Sequence, residues 1–161
     1  MFDLLAERAT GFSVDHYVTP AMQWGIDNQA GAIAAYEVQK GVLVGAEAFV
    51  LHPDIEWAGA TPDGFVGDGI IEVKCPTSSK FLSWVTAGEV PEEHKQQMLF
   101  QLACTRRAWV DFIAYDPRMP EHLQLFIRRF EPDWSEVAWV ETGARAFLIE
   151  LAAMAEQLEL P

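Results

Sequence analysis

Asp63, Glu72 and Lys74 stand in residues 59–76, "GATPDGFVGDGIIEVKCP", among apolar residues and glycines. A buried-looking strand gains nothing from two opposite charges unless they do chemistry or face water. Asp68-Gly69 is a strong hairpin signal, and a two-residue turn there sets Val66 opposite Ile71, Phe65 opposite Glu72 and Asp63 opposite Lys74. Side chains alternate along a strand, so Asp63, Glu72 and Lys74 converge on one face. Opposed residues lie about 5 Å apart at Cβ and diagonal ones about 7 to 8 Å, a spacing from which two carboxylates grip one divalent cation. Oxygen ligands at about 2.0 to 2.1 Å, completed by waters, suit Mg2+, with Mn2+ as a substitute. Two acids, a hard metal and a lysine are equipment for phosphodiester hydrolysis. The metal lowers the pKa of a water and offsets the charge growing on the phosphoryl oxygens, while the lysine positions that water or steadies the same charge. The bland alternative is a cross-strand ion pair on a solvated face.

The elements that must position these groups follow from pattern. "DNQAGAIAAYEVQKG" (27–41) is rich in helix formers and closes at Gly41. "VLVGAEAFVL" (42–51) reads as a strand, and "GATPDGFV" and "IIEVKC" flank the turn. "PEEHKQQMLFQLACT" (91–105) predicts a helix with Pro91 and two acids in its first turn. "AWVDFIAYDP" and "HLQLFIRRFEP" predict two more strands around the turn-like "DPRMPE". From Asp133 onward, Val137, Val140, Ala144, Phe147, Leu148, Leu151 and Met154 recur at helical spacing, a long amphipathic closing helix. The order, helix, three strands, helix, two strands, helix, predicts an α/β (α+β) fold: a mixed sheet flanked by helices, in one domain over residues 1–161. Trp84, Trp109 and Tyr115 read as core aromatics.

Composition narrows the function classes. Half of the 161 residues are apolar and 22% are charged, as in an ordinary globular domain. Cys75 and Cys104 are too few for a disulfide framework and point to a reducing cytosol. His16, His52, His94 and His122 are too scattered for a zinc pattern. No signal peptide and no apolar run of membrane-spanning length is expected. A net charge of −13 argues against gathering phosphate backbones. Lys74, Lys80, Lys95, Arg106, Arg107, Arg118, Arg128 and Arg129 nevertheless concentrate the positive charge between positions 74 and 129, which leaves room for a local basic groove.

The spacing Pro-Asp, eight residues, Glu, one residue, Lys is the signature of the PD-(D/E)XK nuclease superfamily. "GATPDG", "IIEVKCP" and "QLACTRRAWVDFIAYDPRMP" resemble the phage-type recombination exonucleases related to lambda exonuclease. "WGIDNQAGAIAAYE" resembles the helix that precedes their core, and the likeness runs from about Phe2 to the last helix. The resemblance implies a restriction-endonuclease-like core and a magnesium-dependent exonuclease acting on double-stranded DNA ends, 5′ to 3′. It also implies a cytoplasmic protein of a bacterial host, phage or prophage encoded. Asp63 and Glu72 would ligate the metal with the carbonyl of Val73, and Lys74 would be the catalytic lysine. Gln97 falls where the family places a glutamine beside the lysine, with Gln96 a weaker fit. Ser78, Ser79 and Lys80 would contact DNA phosphates or form a plain polar loop. A single-strand annealing protein as companion and a homo-oligomer, a ring-shaped trimer with a basic lining, are implied as well.

Two departures qualify the likeness. Where the family's preceding helix carries a metal-binding glutamate, this chain has Gln29, and an amide cannot supply the anionic charge; Asp27 and Glu37 are the nearest acids that would compensate. The segment in which relatives bear a serine and an arginine for the 5′ phosphate has no expected counterpart, which weakens 5′-end selectivity. The alternatives are therefore an impaired prophage remnant that binds DNA ends or only assembles, or an endonuclease of the same superfamily.

Overall fold

The computed structural model describes residues 1–13, 17–46 and 48–160, and its main sheet starts from the hairpin that carries Asp63, Glu72 and Lys74. β3 (Gly64–Val66) and β4 (Gly69–Lys74) pair antiparallel, Val66 with Gly69, Phe65 with Ile70 and Gly64 with Ile71. The turn is Gly67-Asp68 rather than the expected Asp68-Gly69, so each pairing slips by two residues. The two glycines explain the slip. Gly67 takes φ 53, the left-handed region that a two-residue turn with glycine in first place requires. Gly69 lies under Trp109, whose ring atoms would stand 2.2 to 2.4 Å from a Cβ at that position. Because the slip is even, alternation survives: Glu72 and Lys74 keep one face, and the register extended by one residue sets Asp63 beside Glu72 instead of Lys74.

β4 runs parallel to β5 (Trp109–Tyr115), and β5 pairs antiparallel with β6 (Leu125–Phe130), giving the mixed order β3-β4-β5-β6. Both faces are covered by helices. On one face Ile70, Val110, Phe112 and Ala114 pack with Phe81 and Trp84 of α3 (Ser78–Ala87) and with Met98 and Leu102 of α4 (Glu92–Thr105). On the other, Ile71, Val73 and Ile113 pack with Ala32 and Tyr36 of α2 (Pro20–Lys40). Cover on both sides is why the β4 sequence is nearly continuously apolar, and why its charged residues stand out.

α2 starts earlier than its expected boundary, at Pro20, because the Thr19 hydroxyl accepts from the Met22 N–H at 3.2 Å and caps it. It ends as expected at Gly41, φ 66. In the expected strand 42–51, residue 47 lies outside the described residues. Elsewhere in it, only β1 (Val50–Leu51) forms a strand, paired with β2 (Gly59–Ala60) in a separate two-stranded sheet, and Gly45 makes a lone bridge to Phe65. Pro62, with no N–H to give a ladder, separates β2 from β3. Among the described residues two α-helices were not anticipated, α1 (Phe2–Thr10) and α3, whose first turn holds Ser78, Ser79 and Lys80 in place of a polar loop, and a 3-10 turn, Glu121–Leu123, takes the start of the expected strand before β6.

α5 (Trp134–Gln157) follows the expected pattern. Asp133 Oδ1 accepts from the Ser135 N–H at 2.9 Å, and Val137 packs on Leu99 and Ala103 of α4. Trp84, Trp109 and Tyr115 belong to the core clusters. His16 lies outside the described residues. No helix among the described residues is long and apolar enough to cross a membrane.

Candidate active site

Glu72 and Lys74 lie at the carboxyl end of β4, the end of a parallel strand pair where open α/β sheets leave a crevice, and Asp63 is hydrogen-bonded to Val73 between them. Asp63 sits one residue before β3, just beyond the ladder. Its Oδ2 accepts from the Val73 N–H at 2.6 Å, taking the place a partner strand's carbonyl would have had. Its Oδ1 accepts from Gln29 Nε2 of α2 at 3.2 Å. The helix on the second face of the sheet thus contacts the Asp63 carboxylate.

Glu72 is 1% exposed, a burial that an ionised carboxylate tolerates only with partners. Its Oε1 pairs with Lys74 Nζ, and its Oε2 accepts from Gln101 Nε2 of α4 at 2.6 Å. Lys74 Nζ also donates to Gln97 Oε1 at 3.5 Å. Gln97 and Gln101 are one helical turn apart, so a single face of α4 addresses both the lysine and the glutamate. Gln96, the neighbouring alternative, lines a cleft shared with Gln97. Gln101 was missed in the sequence. The signal was there as a second glutamine four residues after Gln97.

Asp63 and Glu72, with the Val73 carbonyl, would make an oxygen-only donor set of the kind a hard divalent cation takes. Among the described residues no group of three or more His, Cys, Asp or Glu is placed to hold a metal, so ligation here would combine two carboxylates with neutral oxygens. The two acids named as substitutes for the missing glutamate are occupied: Asp27 Oδ1 accepts from Gln23 Nε2 at 2.7 Å, and Glu37 Oε1 accepts from the Val44 N–H at 2.7 Å.

Around this centre the charges are mostly paired. Ser78 donates to Asp116 Oδ2 at 2.7 Å, and Arg118 clasps the same carboxylate at 2.7 and 3.0 Å while lying over the Trp24 ring at 4.2 Å. Burial pushes the Asp116 carboxyl up, but the hydrogen bonds from Arg118 and Ser78 outweigh it and hold the pKa below the ordinary value. Lys80 pairs with Glu93 at 2.8 Å, Lys95 with Glu92 at 2.6 Å, and Arg129 binds buried Asp111 at 2.9 and 3.0 Å. Ser79 is exposed. Cys75, next to Lys74, is pushed up to about 11 by burial and by Asp63 and Asp116, so it is a neutral thiol and no nucleophile at pH 7. Burial and then Lys74 lower the pKa of His94, which stacks on Phe112.

Residues 1–108 match the family of the YqaJ-like viral recombinase domain. The chain is similar to the alkaline exonuclease LHK-Exo from Laribacter hongkongensis, at 39% identity over 98% of this chain and 80% of that one, with a TM-score of 0.92. The complex of LHK-Exo with dAMP gives a TM-score of 0.93 at the same identity and coverage. A phage related exonuclease from Haemophilus somnus 129PT, 13% identical over 95% of this chain and 81% of that one, shares the fold with a TM-score of 0.63. No curated protein matches.

Proposed function

The chain belongs to the YqaJ-like viral recombinase domain family, and from that premise we propose that it is a divalent-metal-dependent exonuclease that hydrolyses phosphodiesters at double-stranded DNA ends, 5′ to 3′. The observation that supports this reading is the Glu72–Lys74–Gln97 contact at the end of β4, with Asp63 hydrogen-bonded to the N–H of the intervening Val73. Asp63, Glu72 and the Val73 carbonyl hold Mg2+, or Mn2+ in its place. When bound, the ion supplies Lewis acidity at the scissile phosphate and lowers the pKa of the attacking water.

The chain's own residues do the rest. Lys74, kept in place by Gln97, orients the water as an ammonium whose positive charge faces the charge that grows on the phosphoryl oxygens, or, as the neutral amine, takes the water's proton. Gln101 fixes the rotamer of Glu72 by holding its second oxygen. Ser79 and the N–H groups of the first turn of α3 meet the phosphates of the incoming strand, with Ser78 and Lys80 beside them. The product is a nucleoside monophosphate, the class to which the dAMP held by LHK-Exo belongs.

The chain acts as one domain over residues 1–161 in the cytoplasm of a bacterial host, as a homo-oligomer in the form of a ring-shaped trimer. The exposed Phe2, Trp134 and Ile149 are apolar surface suited to assembly. A single-strand annealing protein takes up the strand left behind. A second reading, an impaired enzyme that binds ends without efficient turnover, is favoured by one observation: the group facing Asp63 from α2 is the amide of Gln29, not a carboxylate.

The test is incubation with Mg2+ of linear duplex DNA and of covalently closed circles, with Lys74→Ala as control. Lys74-dependent loss of the linear DNA alone is the expected result. Cutting of circles makes the protein an endonuclease, and no Lys74-dependent loss makes it the impaired form.

A further inference from the structure

The loop joining β1 to β2, residues 52–58, is tied down firmly and still carries a strained, exposed tryptophan. His52 Nδ1 accepts from the backbone N–H groups of Asp54 and Ile55, each at 3.0 Å, which leaves the ring proton on Nε2 to donate to Glu141 Oε1 of α5 at 3.0 Å. Arg106, just past α4, binds Asp54 at 2.6 Å and Glu141 at 2.9 Å. Ile55 is buried beneath the loop. Two residues on, Trp57 is 86% exposed and has φ 66.

Left-handed backbone costs an L-residue about 1 to 2 kcal/mol, and an exposed indole recovers nothing from burial. Glycine or asparagine would serve the loop better. A strained position that the fold neither needs nor rewards points to a task outside the fold.

Trp57 lines a cleft of about 1180 Å³. Its other walls include Phe100 and Gln97 of α4, Trp139 and Phe147 of α5, and Leu4 of α1. Gln97 is also the residue whose Oε1 accepts from Lys74, so this one side chain borders both the cleft and the centre built on Asp63 and Glu72. Four aromatic side chains, Trp57, Phe100, Trp139 and Phe147, line it together with the amides of Gln96 and Gln97. A nucleotide offers matching chemistry, a flat apolar base and a charged phosphate. Every base offers a π-face to an aromatic platform, and such stacking is worth about 1 to 3 kcal/mol per base.

We propose that Trp57 is a stacking platform for the base of the terminal nucleotide, held in this cleft while its phosphate lies at the Asp63–Glu72–Lys74 centre. The proposal rests on reading that centre as a phosphodiester-hydrolysing site. Trp57 is then a positioning residue. It sets the affinity for a DNA end, and the carboxylates and lysine set the rate of the chemical step.

The experiment compares the wild-type protein, Trp57→Phe and Trp57→Gly on linear duplexes whose terminal nucleotide is either normal or abasic. On normal ends Trp57→Gly should raise KM about tenfold with kcat little changed, and Trp57→Phe should restore most of the loss, in keeping with the energy of one stacked base. On abasic ends the three proteins should be alike. A KM unchanged by Trp57→Gly, or a loss equally large on abasic ends, overturns the proposal. So does a change in oligomeric state by light scattering with no base-dependent change in KM, which gives the cleft to a second copy of the chain. If the wild-type protein shows no Lys74-dependent hydrolysis, it is the reading of the centre that fails, and the cleft is tested by quenching of tryptophan fluorescence. Quenching by dAMP that is absent with deoxyribose 5-phosphate and lost in Trp57→Gly upholds the platform. Equal responses to the two ligands overturn it.

Discussion

Gln29 and Gln101 hold the two carboxylates in different ways, and the difference is testable residue by residue. Gln29 offers Asp63 an N–H from an amide that carries no charge. Gln29→Glu would set one carboxylate against another, so in the presence of a chelator its melting temperature should fall below that of the wild type. Added Mg2+ should close the gap, because a ligand that binds only the folded form stabilises it in proportion to its occupancy. A gap that Mg2+ leaves untouched would show that no cation lies between residues 29 and 63. Gln101 donates to a buried oxygen of Glu72. Gln101→Leu strands that oxygen at a cost of about 1 to 3 kcal/mol, which in a chain of this size lowers Tm by about 2 to 10 °C in a thermal melt. Both glutamines look like ordinary polar helix residues in the sequence. Only the contact with a buried acid sets them apart, and such a contact spans 29 to 34 positions of chain.

At the scale of elements, the hairpin shows why the alternation of its charged residues could be read while its register could not. Asp63, Glu72 and Lys74 share a face under any even shift of pairing, so the period of two was enough to bring them together. The choice between Gly67 and Gly69 as the turn residue depended on Trp109, 40 positions downstream, whose indole fills the space over Gly69. Gly69→Ala should therefore destabilise the sheet by about 1 to 3 kcal/mol through overpacking, while Gly67→Ala should act through backbone strain alone, a comparison that denaturant titration makes directly. The strands 42–51 and 59–66 were read as longer than they are because apolar runs do not reveal where Pro62 or a lost partner ends a ladder. α3 was hidden behind its polar opening, Thr77-Ser78-Ser79-Lys80, although Phe81, Trp84 and Gly88 carry a helical spacing and a stop signal. The long helices α2, α4 and α5 were legible because amphipathic or helix-forming runs with clear caps need no partner to be recognised.

At the scale of the whole molecule, an acidic chain meets its proposed substrate with few spare cations. The net charge is −13, and Lys74, Lys80, Lys95, Arg106, Arg118 and Arg129 are each held in an ion pair. The basic groove that the sequence left room for is thus largely neutralised within the chain, and binding to DNA should depend on the divalent ion more than on a basic surface. The same pairs make the fold acid-sensitive. Asp116 titrates below its ordinary value because Arg118 and Ser78 hold its ionised form. Its contribution is complete above the unfolded aspartate pKa of about 3.9 and is lost as pH falls through the lower folded value. Thermal melts should show Tm dropping below about pH 4, and Asp116→Asn should flatten that part of the profile. A profile unchanged by the substitution would remove Asp116 from the acid response.

The central claim is that the end of β4 holds a divalent ion between two acids, and calorimetric titration with Mn2+ tests it without relying on turnover. The wild-type chain should take up the ion, and Asp63→Asn and Glu72→Gln should each abolish or greatly weaken that uptake while remaining folded by circular dichroism. Undiminished uptake by both folded variants, or no uptake by a wild-type chain that still degrades DNA ends, would contradict it.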